Sequence, residues 1–171
     1  MEFLRWGVLG ASKFAIEHLT PAIQLARNNS FKALASSSKE KAAAFVKLEP
    51  EIEIYRSYEE LLADDRINAV YIPLPNTMHV DWTIRAIKSG KHVLCEKPIA
   101  MRAKEIDELI KLRNTTGLLV AEAYMIVHHP QWIKAKEIVQ SGVLGDLIQV
   151  DAVFSYNNQA DLENIRNNSN M

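Results

Sequence analysis

The sequence predicts an α/β protein, a doubly wound parallel sheet followed by an incomplete second α/β domain. Three observations carry this reading. From Leu4 to Ala123, apolar runs of strand length alternate with segments of helical period. The first run ends in the glycine turn Gly7-Val8-Leu9-Gly10, at the junction where an alternating fold changes from strand to helix. After Pro130 the alternation stops, leaving one amphipathic segment, one long alternating strand and an asparagine-rich tail. The boundary is set between residues 1–123 and 124–171.

Taken in order, Leu4–Leu9 reads as a strand and Phe14–Arg27 as a helix bent at Pro21, whose nitrogen has no hydrogen to donate. Phe31–Ala35 is the next strand and the alanine-rich Lys39–Lys47 the next helix. Ser57-Tyr58-Glu59-Glu60 fits a capping box, with Glu60 reaching back to the Ser57 amide, and opens a short helix ending near Asp64. Ala69–Ile72 is a strand stopped by Pro73 and Pro75, and Thr77–Ser89 is a helix closed by Gly90. His92–Cys95 is a buried strand, Ala103–Arg113 a helix, and Leu118–Ala121 a strand. The whole from about Leu4 to Ala123 is expected to be a six-strand unit with its own core. Beyond it, Trp132–Gln140 is amphipathic, Gly142 and Gly145 mark a turn, and Leu147–Tyr156 alternates as a long strand. Asn157, Asn158, Asn164, Asn167, Asn168 and Asn170 leave the tail too few apolar groups to pack.

Composition narrows the function. Of 171 residues, 48% are hydrophobic and 24% charged, the balance of an ordinary globular chain. A net charge of -1 gives no electrostatic case for nucleic acid or an anionic membrane surface. No apolar stretch approaches the roughly 18–20 residues that span a bilayer. The start, Met1-Glu2-Phe3-Leu4-Arg5, lacks the order of a signal peptide. The lone Cys95 cannot form an internal disulfide and reads as a small buried hydrophobe, which makes the cytoplasm the expected compartment.

Several motifs carry chemistry. Lys97, in Glu96-Lys97-Pro98, directly follows a strand, and in open parallel sheets the ligand crevice lies beyond the strands' carboxyl ends. A lysine partly withdrawn from water there can trade protons with a substrate. The first strand runs into Gly10-Ala11-Ser12-Lys13-Phe14-Ala15. Gly10, Ser12 and Ala15 occupy the three small-residue positions of a dinucleotide fingerprint, and the following helix offers free amides to a phosphate. This predicts a Rossmann fold. Where an acid would hold a free adenine-ribose hydroxyl, the chain reads Ala35-Ser36-Ser37-Ser38-Lys39. Hydroxyls and a cation suit a 2′-phosphate, so NADP is expected, with NAD the alternative; Ser37 and Ser38 also suit a helix cap. In Ile72-Pro73-Leu74-Pro75-Asn76-Thr77-Met78-His79, two prolines stiffen a loop from which Asn76 can bond a ligand. His79 fits either a structural hydrogen-bonding role or a ligand contact. The pair His128-His129 lacks further partners at metal-site spacing, so no metal is expected.

Gly7-x-x-Gly10, Ile72-Pro73-x-Pro75-Asn76-x-x-His79, Gly90-Lys91-His92-Val93-x-x-Glu96-Lys97-Pro98 and Glu122-Ala123-Tyr124-Met125 together resemble the Gfo/Idh/MocA oxidoreductases. The resemblance runs from about Leu4 to the strand ending near Tyr156. It implies that Lys97 is the catalytic lysine beside substrate and nicotinamide and that Glu96 lines the same pocket. Gly10, Ser12, Leu74, Pro75, Asn76 and His79 would contact the cofactor, with Lys13, Phe14, Ser36, Ser37 and Lys39 completing its site. The implied reaction is hydride transfer between a nicotinamide and a hydroxyl carbon of a sugar, cyclitol or diol. The alternative is a dinucleotide-binding module without turnover of its own. Family members often carry an arginine near Val127 and a basic residue near Ser37, and neither of those two positions is itself basic in this chain. They also run to about twice this length, with a second domain that builds the substrate wall and the usual homo-oligomer interface. The aspartate and histidine that complete their site would follow the point where this sequence stops.

Overall fold

The computed structural model describes residues 3–155, and the chain divides into two units, Met1–Ala123 and Tyr124–Met171. In the first, six strands form one parallel sheet: β1 (Leu4–Leu9), β2 (Asn29–Ala35), β3 (Glu53–Tyr55), β4 (Ala69–Ile72), β5 (His92–Glu96) and β6 (Val120–Ala123). Their order is β3-β2-β1-β4-β5-β6, so the direction of winding reverses between β1 and β4. The connecting helices are α1 (Thr20–Leu25), α2 (Lys39–Leu48), α3 (Tyr58–Leu62), α4 (His79–Lys88) and α5 (Ala103–Thr116).

Alternation along each strand separates two cores. Leu9, Ala35, Ile72 and Cys95 point to the face covered by Leu61 and Leu62 of α3 and by Trp82, Ala86 and Ile87 of α4. Val8, Leu34 and Tyr71 point to the other, covered by Ile23, Ala42 and Phe45. Burying each such aliphatic side chain stabilises the fold by about 1.5–3 kcal/mol. Gly7 belongs to this packing, because a Cβ there would stand 2.6 Å from Leu61 Cδ2.

The bend expected at Pro21 takes a definite form. Ala15–Leu19 is a π-helical turn, and both the backbone N–H and the Oγ1 hydroxyl of Thr20 donate to the Ala15 carbonyl. The turn widens just ahead of the residue that cannot donate, and α1 follows it. Three local expectations are corrected. Glu60 accepts from the Arg56 amide, one residue before the Ser57 amide, while Ser57 Oγ accepts from Glu60 as the capping box requires. No apolar run pointed to β3, whose Glu53 and Ile54 are exposed at the sheet edge. And β6 begins two residues late. Gly117 ends α5 with φ at +70°, and the Leu119 amide then donates to His92 Nδ1, so regular pairing starts at Val120.

In the second unit, α6 (Pro130–Gln140) follows a 3₁₀ turn at Met125–His128 and is capped by His129, whose Nδ1 accepts from the Gln131 amide. The long strand expected over Leu147–Tyr156 is absent across its described residues 147–155. A strand needs a partner for its ladder groups, and alternation alone supplies none. Tyr156 and the asparagine-rich tail lie outside the described residues.

Candidate active site

Four loops bearing the expected site residues leave the carboxyl ends of adjacent strands. After β1, Gly10 adopts φ +103° and its amide donates to the Ala35 carbonyl at 2.9 Å. A Cβ on Gly10 would lie 3.0 Å from Leu74 Cδ2, so only glycine lets the backbone turn here and pack beneath the β4 loop. Ser12 Oγ accepts from the Ala15 amide at 3.0 Å and so holds the first turn of the helix. Lys13 is exposed and reaches along the helix to Glu17 at 3.8 Å, while Phe14 rests its ring on His18.

After β2, Ser38 caps α2 by accepting from the Lys41 amide, and Ser36 Oγ accepts from the Ser38 amide. The Ser36 amide in turn donates to the Tyr55 carbonyl at 3.0 Å. Ser37 and Lys39 stand exposed beside this turn. The local bonds of Ser36 and Ser38 shape the loop, which leaves Ser37 and Lys39 as the groups free to meet a phosphate.

After β4, Leu74 and Pro75 are half-buried and Asn76 is exposed. His79 is 0% exposed, which withdraws it from direct contact with a cofactor. Its Nδ1 lies 2.7 Å from the Pro98 carbonyl oxygen and its Nε2 2.7 Å from that of Leu74. The ring thus ties the β4 loop to the loop after β5. That tie makes it a positioning residue, the structural one of its two expected roles.

The loop after β5 holds Glu96, Lys97 and Pro98, with a cis peptide between Lys97 and Pro98. Besides His79, two carboxylates anchor it. Glu122 Oε1 accepts from the Ile99 amide at 2.9 Å, and Glu96 Oε2 accepts from the Lys97 amide at 3.3 Å. Glu96 Oε1 accepts from the hydroxyl of the fully buried Tyr71 at 2.7 Å. Burial, then this bond to a carboxylate, drives the Tyr71 phenol far above its ordinary value, so it stays a donor. Lys97 is exposed, contrary to the partial desolvation expected of it, and its ammonium forms no bond among the described residues. The Cys95 thiol, pushed up to about 12 by burial, is inert packing.

Tyr71 is a positioning residue that motif reading missed, and Glu122 is one that it quoted within Glu122-Ala123-Tyr124-Met125 without a role. The signal for Tyr71 was available: a phenol inside an apolar strand must find a hydrogen-bond partner. The partner of Glu122 gave no such signal, because only the sheet order brings β6 beside the β5 loop. Among the described residues no cluster of three or more metal-ligating side chains forms, and no helix is long and apolar enough to cross a membrane. Two depressions of about 500 and 510 Å³ lie away from these loops, one lined by Arg5, Glu53 and Arg66, the other by Lys88 and Asp107.

A parallel sheet of this order, with a glycine turn where the winding reverses, defines a dinucleotide-binding Rossmann fold. Residues 4–124 match the model of the Gfo/Idh/MocA oxidoreductase family, which has an NAD-binding Rossmann fold, and the chain belongs to that family. It is 43% identical over 155 residues to the uncharacterized oxidoreductase ORF334 of Rhizobium meliloti, covering 91% of this chain and 46% of that protein. It is 36% identical over 163 residues to D-xylose 1-dehydrogenase (NADP(+)) 2 of Haloferax volcanii, covering 95% and 50%. Among solved structures, KijD10, a 3-ketoreductase from Actinomadura kijaniata in complex with NADP and TDP-benzene, superposes with a TM-score of 0.75 at 34% identity. That match covers 82% of this chain and 43% of that one. The chain spans about half the length of the curated relatives it matches.

Proposed function

We propose that this chain is the cofactor-binding part of an NADP-dependent oxidoreductase that transfers hydride at a hydroxyl or carbonyl carbon of a sugar, cyclitol or diol. The observation that carries the reading is the convergence of the Gly10 turn, the Leu74 loop and the Lys97 loop through direct contacts. The glycine turn fits a dinucleotide because Gly10, at φ +103° and with no Cβ to press on Leu74, lets the backbone turn tightly enough to approach a phosphate. Gly10 and Ser12 would face the pyrophosphate, and Ser37 and Lys39 a 2′-phosphate. Leu74, Pro75 and Asn76 would border the nucleotide. The relatives' names support both halves of the reading, since one is an NADP(+) xylose dehydrogenase and another a dTDP-sugar 3-reductase.

A bound nicotinamide would supply or accept the hydride. Lys97 would hold the substrate oxygen through its ammonium and pass it a proton, or take one in the reverse direction. Glu96, steadied by Tyr71, would line the pocket and keep the Lys97 backbone in place. For these 171 residues taken alone, the exposure of Lys97 favours cofactor binding without turnover, because hydride chemistry needs water excluded. The cytoplasm, and a homo-oligomer for the longer family form, belong to the same proposal. Calorimetric titration with NADPH and NADH tests it. Tighter binding of NADPH is expected; preference for NADH, or binding of neither, would overturn it.

A further inference from the structure

Tyr58 was read only as part of a helix cap, yet its hydroxyl stands beside the phosphate turn. Tyr58 Oη lies 3.6 Å from the point where a Cβ on Gly10 would be. Its ring is held edge-on against Trp82, with centroids 4.8 Å apart and planes at 89°. Trp82 is itself backed by the Arg85 guanidinium at 4.8 Å, and Arg85 is paired with Asp81 and Glu59. The phenol therefore has little freedom to turn away. It is half-buried and packs on the same core cluster as Leu74. Burial pushes its titration upward, and no described residue forms a hydrogen bond with its hydroxyl. The hydroxyl is not among the buried polar atoms that lack a partner, so it stays open to solvent and can exchange water for a ligand oxygen.

We infer that the partner is a ribose oxygen on the adenosine half of the dinucleotide, which makes Tyr58 a cofactor-binding residue. The inference rests on the dinucleotide reading above and adds to it a residue outside the glycine fingerprint. Position selects the half. Three residues before Tyr58, the Tyr55 carbonyl binds the Ser36 amide, so this segment adjoins the Ser36–Lys39 corner. Lys97 leaves β5, which lies beyond β4 on the other side of β1. A hydroxyl beside the Gly10 turn, on a segment that adjoins the serine corner through Tyr55, faces the adenosine side of the ligand, and the nicotinamide lies toward Lys97.

Tyr58→Phe removes one oxygen and keeps the ring against Trp82. Calorimetry with NADPH and with 2′,5′-ADP should show Kd raised about 3- to 10-fold for both, the range of one hydrogen bond. The melting temperature of the variant confirms that it is folded. A second measurement needs no variant: nuclear Overhauser contacts between the Tyr58 ring protons and the ribose protons of 2′,5′-ADP bound to the wild-type chain. A Kd for 2′,5′-ADP unchanged within about twofold, or the lack of those contacts in the bound complex, would overturn the inference and leave the dinucleotide reading intact. Failure of the wild-type chain to bind either ligand would overturn both.

Discussion

Lys97 combines a tightly held backbone with a free head group. Its own amide is bonded to Glu96, and the two residues after it are tied to His79 and Glu122, while the ammonium bonds none of the described residues. Catalysis and cofactor affinity should therefore separate on substitution. In the complete enzyme, Lys97→Met is expected to lower kcat by at least about 10²-fold, the scale of a lost general acid–base group. The NADPH dissociation constant should stay within about twofold. Stopped-flow and equilibrium titration of the same variant check this; wild-type kcat would remove Lys97 from the chemistry. Lys91 is the contrasting case. It is 4% exposed, and its ammonium donates to the Asp64 and Ile67 carbonyls at 2.8 Å each. Desolvation pulls its titration downward, while both bonds are stronger from the charged form. Lys91→Met leaves two carbonyls without their donor and should cost about 2 kcal/mol of folding stability, read from urea melts. A loss below about 0.5 kcal/mol would show that water replaces the ammonium freely.

At the scale of elements, the carbonyls that Lys91 holds flank the connection from α3 to β4, and charge secures that corner. Asp64 accepts from the Tyr55 hydroxyl at 2.7 Å and from Arg66 Nε at 2.9 Å, and Arg66 also pairs with Glu53 of β3. The Arg66 guanidinium is the main cause of an Asp64 carboxyl held down at about 2, and burial is the main cause of a Tyr55 phenol pushed up to about 12. A carboxyl depressed on folding stabilises the native state fully above its unfolded value near 4 and loses that contribution as pH falls through about 2. Asp64→Asn should thus lower the melting temperature by a constant amount above about pH 4. The gap to wild type should then close between pH 4 and 2. Melting curves recorded from pH 7 to 2 check this, and a gap independent of pH over that range would refute it. The short, edge-exposed β3 depends on this corner, because Tyr55 and Glu53 are two of its three residues.

For the whole molecule, the two units differ in how they bury apolar groups. The first contains both core clusters. In the second, Trp132, Ile133, Val150 and Val153 are 49, 45, 76 and 94% exposed. A domain with its own core can fold alone, so residues 1–123 should melt cooperatively and bind NADPH as the full chain does. The 171-residue chain should bind the cofactor but turn over no aldose, inositol or diol above background, since Lys97 stands open to water. Steady-state assays with NADP(H) and NAD(H) decide this, and robust turnover would show that the chain is sufficient by itself.

How much of this was legible beforehand depended on the range of the interactions. The alternating runs determined the parallel α/β class. The strand-to-helix glycine turn and the Glu96-Lys97-Pro98 loop marked where the chemistry is expected, because periodicity and turn residues are local properties of the chain. Contacts between distant segments were decided only by the tertiary structure. Sheet order brings Glu122 to Ile99 and Tyr71 to Glu96, and it closes His79 between two loops. The same dependence explains why β3 was missed and why Leu147–Tyr156 was overread. A weak run becomes a strand when β2 lies beside it, and a strongly alternating run stays irregular when no strand pairs with it. Backbone hydrogen bonding across a sheet belongs to the pair of strands, and no single stretch of sequence contains it.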